Sequence, residues 1–219
     1  MGRFFRFDSP FMLALGKVMD LILLSSLWIA CCIPIITIVP ATAALYYVTI
    51  KMARKEETRT VVGFFHAFKE NFKQGSVLTL IFTAAGILLH VDYRIMTLQA
   101  ENIASTFGIL FLLLTIFTTA IMLYTFPLQA QFSNTIIRTL KNAILLSLIK
   151  LPNTLLLLVL HSIPVWSLVV APGIIAKTLP LWLLLFPAVI AYLSSLRFVK
   201  VIAPFIAPKE DSSEKEKNP

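Results

Sequence analysis

Apolar residues along this chain come in long unbroken runs, not in the strict alternation of a strand or the narrow stripe of a surface helix. From Leu21 to Ile50 there are 30 residues without a charge, and further apolar runs cover about 76–91, 103–127, 153–171 and 178–196. Runs of this kind predict helices that cross a bilayer. Asp8-Ser9-Pro10 marks a helix start, because a serine hydroxyl can cap orphan amides and proline at the first helical position loses no hydrogen bond. On that helix Lys17 and Asp20 are three apart and can pair at the polar boundary. As one straight helix the 30-residue run would be about 45 Å long, against a hydrocarbon core of about 30 Å. Pro34 and Pro40 remove backbone donors inside it. They predict a hairpin with arms at about 12–33 and 35–52, each short for a span.

The distribution of basic residues bears on that choice. With the hairpin there are six spans, both termini are cytoplasmic, and 17 of the 19 Lys and Arg lie on the inner side. With one first crossing there are five spans, the N-terminus is outside, and 14 lie inside. The positive-inside bias favours six, with five the alternative. The expectation is an all-α polytopic transmembrane helix bundle in the cell membrane, a single domain over 1–207, and a disordered cytoplasmic tail over 208–219, where KEDSSEKEKNP is polar and charge-mixed. Arg3 and Arg6 followed by an apolar run resemble a signal peptide, but the run is too long for one and no cleavage is expected.

Between the hairpin and the third span, residues 58–74 read as a cytoplasmic amphipathic helix. Val61, Phe65, Phe68 and Phe72 share one face, while His66, Lys69, Glu70 and Lys73 turn the other way. Such a helix can dip Phe65, Phe68 and Phe72 into acyl chains and present Lys69 and Lys73 to anionic lipid, or pack under the bundle as a stem. Composition agrees with a bilayer environment: 58% of residues are hydrophobic and 14% charged. The excess of 19 basic over 11 acidic residues is then a topology signal, and nucleic acid is a poor partner. The bilayer is the partner the sequence names.

Chemistry is sparse. There is no glycine-rich phosphate loop, no metal-spaced His or Cys cluster and no nucleophile elbow, so neither an enzyme nor a cofactor is expected. The adjacent Cys31 and Cys32 read as small apolar residues. The spans lack the buried carboxylates of an ion relay. His161 and Thr118 are the candidate intramembrane polar positions, and His161 is expected to bond to a neighbouring helix. Thr37, Thr42, Thr49, Thr79, Thr83, Thr115 and Thr119 could line a polar path, or make ordinary helix contacts. His90, Asp92 and Arg94 cluster at a span end as a solvated rim.

Ser9-Pro10-Phe11, Asp20, Trp28, the block PIITIVPATAALYYVTIK from Pro34 to Lys51, Arg54 with Glu56-Glu57, and FFHAFKENFKQ from Phe64 to Gln74 resemble the YesL-like family of bacterial membrane proteins of unknown function. The resemblance implies a small polytopic protein found beside ATP-driven carbohydrate uptake systems, with no catalytic or binding residues to carry over. Having no nucleotide motif, the chain would be an accessory or regulatory component of a carbohydrate transporter complex. An uncoupled small-solute permease and a lipid-interacting membrane scaffold are the alternatives.

Overall fold

The first apolar run folds back on itself at Pro34. In the computed structural model, which describes residues 10–56, 59–98 and 101–206, α1 (Pro10–Cys32) begins at Pro10 and ends two residues before Pro34. A single 3-10 turn (Ile35–Thr37) leads into α2 (Ile38–Ala53). Pro40 does not break the chain. It is the third residue of α2, where its missing N–H is one of the helix's orphan donors anyway. The neighbouring orphan, the Val39 N–H, donates to Thr79 Oγ1 at 3.3 Å, so a side chain from another helix caps this one.

At its other end α2 closes in a Schellman motif. The Glu56 N–H donates to the Lys51 carbonyl at 3.0 Å and the Lys55 N–H to that of Met52 at 3.1 Å. This places Lys55 at φ 60°, a left-handed conformation usually left to glycine. After it come α3 (Thr60–Leu98), α4 (Glu101–Gln131), α5 (Ile136–Ile149), α6 (Leu151–Val170) and α7 (Pro172–Ile206), with no strand among the described residues.

Six helices are long and apolar enough to cross a membrane, within Leu15–Cys32, Ile35–Ala53, Thr60–Arg94, Gly108–Gln131, Leu151–Val170 and Lys177–Ala203. The chain is therefore an all-α polytopic bundle with six helices of membrane-crossing length and a shorter α5 beside them, as the hydrophobic pattern predicts. The second span is the centre of it, being 61% buried where the others range from 11% to 28%. Its sequence explains this. Ala41, Ala43 and Ala44 are wholly buried and let neighbouring backbones approach, while Val48, Ile50 and Thr49 fill the gaps.

α3 runs antiparallel along α2 and is one unbroken helix of 39 residues, about 58 Å long. The segments 58–74 and 76–91, separate in the sequence reading, are joined in it from Thr60 onward. Gly75 lies between them without ending the helix, because its bare Cα seats the Pro40 ring: a Cβ there would lie 2.7 Å from Pro40 Cγ. α4 likewise passes through Pro127 to Gln131, and α7 passes through Pro180 and Pro187, so both outrun their apolar cores. The Ala188 N–H, next to Pro187, donates to Ser25 Oγ of α1 at 3.1 Å. Neighbouring side chains thus take up backbone groups where prolines thin the helical ladder.

Several other polar residues also find partners. Asp20 accepts a hydrogen bond from Thr60 Oγ1 at 2.9 Å instead of pairing with Lys17, tying the middle of α1 to the start of α3. Thr49 and Ser195 share one at 2.8 Å between α2 and α7. Where Pro152 forces the α5–α6 break, Thr154 Oγ1 donates to the Ser147 carbonyl at 2.9 Å and meets the buried Tyr124 hydroxyl at 3.1 Å. The tail over 208–219, and the Ser9 cap, lie outside the described residues.

Candidate functional site

Pro164 in α6 and Pro187 in α7 stand on opposite walls of a half-open cavity of about 410 Å³. α6 and α7 pack on each other, whereas α2 and α6 are not closely packed. The void is floored by α2 through Thr42, Leu45 and Tyr46, and walled by Trp28 of α1, Phe126 of α4 and the α7 face Trp182, Phe186, Ile190 and Ala191. Trp182 and Phe186 lie one turn apart and stack at 3.8 Å between ring centroids, forming a flat wall. Tyr46 stacks on Phe126 at 6.5 Å, and Phe82 meets the same Phe126 edge-on at 6.3 Å. The cavity lies toward the α1–α2 turn, at the end of α2 remote from Lys51.

His161 lines this cavity. Its Nδ1 is 2.9 Å from the Leu157 carbonyl, which can only accept, so Nδ1 carries the proton and Nε2 is the acceptor. Facing Nε2 at 3.4 Å is the hydroxyl of Tyr46, which donates across the gap between α2 and α6. On the far side Trp28 Nε1 donates to Thr42 Oγ1 at 3.1 Å, and Thr42 donates in turn to the Ile38 carbonyl at 2.7 Å. Apart from the Trp182 indole N–H, the polar side chains of the lining are thereby paired with one another or with backbone, and the surface offered to an occupant is mainly aromatic and aliphatic.

Thr118 is half-buried on α4, two turns from Phe126, and is not part of this lining. Of the threonines that might line a polar path, Thr42 alone reaches the cavity. Thr49, Thr79, Thr115 and Thr119 donate to carbonyls four residues back on their own helices, and Thr37 donates to the carbonyls of Cys31 and Pro34. His90, Asp92 and Arg94 are exposed near the far end of α3. Among the described residues no group of three His, Cys, Asp or Glu is placed to hold a metal ion.

Along α3 the aromatic residues divide. Phe65 and Phe72 are exposed, Phe68 packs against the core, and Lys69 and Lys73 point outward. The innermost positions are Phe64, Ala67, Gly75 and Leu78, one residue off the face drawn from the aromatics alone. Phe64 stacks on Phe68 at 6.3 Å, which carries the aromatic row from the core to the surface. The sequence offers Tyr46, Trp28 and Trp182 as aromatic groups able to stack, or to anchor and pack the bundle, but does not join them with Phe186 and Ile190 into one lining. A signal for the wall was present, since Trp182, Phe186 and Ile190 repeat every four residues on one helical face.

Fold and cavity together define a multi-pass, all-α membrane protein. Within it, residues 21–93 match the family described as "Protein of unknown function, DUF624", a stretch that runs from the first span into the third. No curated protein and no solved structure matches the chain.

Proposed function

We propose that this chain is an accessory or regulatory membrane component working beside a carbohydrate uptake system, and that it carries no solute itself. The observation behind this reading is the chemistry of the cavity. A sugar needs hydrogen-bond partners for its hydroxyls, and here Tyr46, His161, Trp28 and Thr42 are already engaged. Opening them to a sugar would break four bonds in an apolar setting. The DUF624 match over 21–93 supports the YesL-like reading, since that is the family to which YesL belongs. On this reading the chain sits in the cell membrane with both termini in the cytoplasm, and a carbohydrate transporter complex is its partner.

The experiment is affinity purification of the tagged chain from its native membrane, followed by identification of what accompanies it. Co-purification of carbohydrate transporter subunits, together with a deletion that alters uptake only while that transporter is present, is the expected result. Purification without any transporter subunit would refute the accessory role. A lipid-interacting scaffold is the second reading, favoured by the exposed Phe65 and Phe72 beside Lys69 and Lys73 on α3.

A further inference from the structure

We propose that the cavity between α2, α6 and α7 is a binding site for one hydrocarbon chain of a membrane lipid. This goes beyond an accessory role, which needs no ligand. Three observations point to it. The first is volume: about 410 Å³ lies within the range of small-molecule sites, and walls left facing nothing over such a void forfeit their dispersion contacts. The second is polarity. The Tyr46–His161 and Trp28–Thr42 pairs engage the other polar side chains and leave the Trp182 indole N–H as the one side-chain donor of the lining without a partner, so a water would gain one bond where about two to four are needed and an apolar occupant is favoured.

The third is position. Every wall of the cavity belongs to a helix of membrane-crossing length, which puts the bilayer's own hydrocarbon within reach of its open side. A flexible chain can enter between α2 and α6, which are not closely packed, and lie against the flat wall of Trp182 and Phe186. Rigid sugars and ions have neither the chemistry nor the route. The chain can belong to a phospholipid or to a free fatty acid, and the same experiment separates these sources.

The site carries its own reporters. Trp28 and Trp182 line it, whereas Trp166, the third tryptophan of the chain, is 65% exposed on α6 and lies outside it. In the Trp166→Phe protein, reconstituted into phospholipid vesicles, fluorescence then reports on Trp28 and Trp182 alone. One arm raises the fraction of phospholipid brominated in its acyl chains. The other adds brominated fatty acid to unbrominated vesicles. A bound chain gives quenching that saturates at a low brominated fraction in one arm or both, and the responding arm names the source.

Filling the cavity with Ala191→Phe, or with Leu183→Phe at its half-exposed rim, removes the saturable part. The second variant keeps the test valid if Ala191, which is fully enclosed, does not tolerate the ring. Quenching that rises in proportion to brominated lipid throughout, and is unchanged by Leu183→Phe, would mean surrounding lipid only and would overturn the proposal. Quenching of Trp28 and Trp182 by aqueous iodide would overturn it as well, because the cavity would then hold water.

Discussion

Gly75 and Gly86 lie on the same helix, eleven residues apart, and the same substitution should act on them with opposite sign. A methyl group on Gly75 would come within 2.7 Å of Pro40 Cγ, 2.8 Å of its Cδ and 2.9 Å of its backbone nitrogen, distances at which something must move. Neither a proline ring nor a backbone atom can swing aside, so α3 has to back away from α2. Overpacking of this kind costs about 1–3 kcal/mol. The retreat also stretches the 3.3 Å bond from the Val39 N–H to Thr79, a further loss of about 1 kcal/mol. Alanine returns about 1 kcal/mol of helix propensity. The net expectation for Gly75→Ala is a destabilisation of about 1–3 kcal/mol.

At Gly86 a methyl group meets nothing within 4 Å, so only the propensity gain remains, up to about 1 kcal/mol of stabilisation. Reversible unfolding of both variants in mixed micelles, titrated with a denaturing detergent and followed by far-ultraviolet circular dichroism, measures the two midpoints against the parent. The parent midpoint should fall between them. Equal shifts of the same sign at both positions would refute the close packing of α3 on the first turn of α2.

Substitutions at four other positions probe the bundle in the same assay. In a double-mutant cycle of Tyr46→Phe and His161→Leu, the hydrogen bond across the cavity should appear as a coupling of about 0.5–1.5 kcal/mol, and additive effects would deny it. Thr79→Val should cost about 1 kcal/mol by leaving the Val39 N–H unmet, while Thr79→Ser should recover most of it; equal losses would exclude the capping role. Lys55→Gly should stabilise by about 1 kcal/mol, since Lys55 sits at φ 60°, and a loss of stability would contradict the left-handed turn. As to topology, reporter fusions at residue 5 and at the C-terminus should both read as cytoplasmic, and an external N-terminal reporter would return the count to five spans.

The hairpin was legible because two constraints met at one place: 30 uncharged residues are too many for one straight span, and Pro34 sits where the excess can turn. Pro40 was not, because whether a proline breaks a helix or opens one depends on where the first turn begins, and the turn at Ile35–Thr37 set that. The inner face of α3 was displaced by one residue for a reason peculiar to membranes. Lipid is as apolar as phenylalanine, so aromatic periodicity does not mark the inside; small residues that admit close approach do, and here these are Ala67 and Gly75. His161 could be picked out as a polar ring in an apolar run. Its partner Tyr46 is 115 positions away and nothing in one sequence joins them.

The proposed accessory role requires that the bundle associate with a transporter and carry no solute itself. The direct measurement is uptake of labelled oligosaccharides by liposomes containing the purified chain alone, compared with empty vesicles. The account predicts no uptake above the empty vesicles across the panel. Saturable uptake by the chain alone would contradict it and make Thr118 and His161 the first residues to replace.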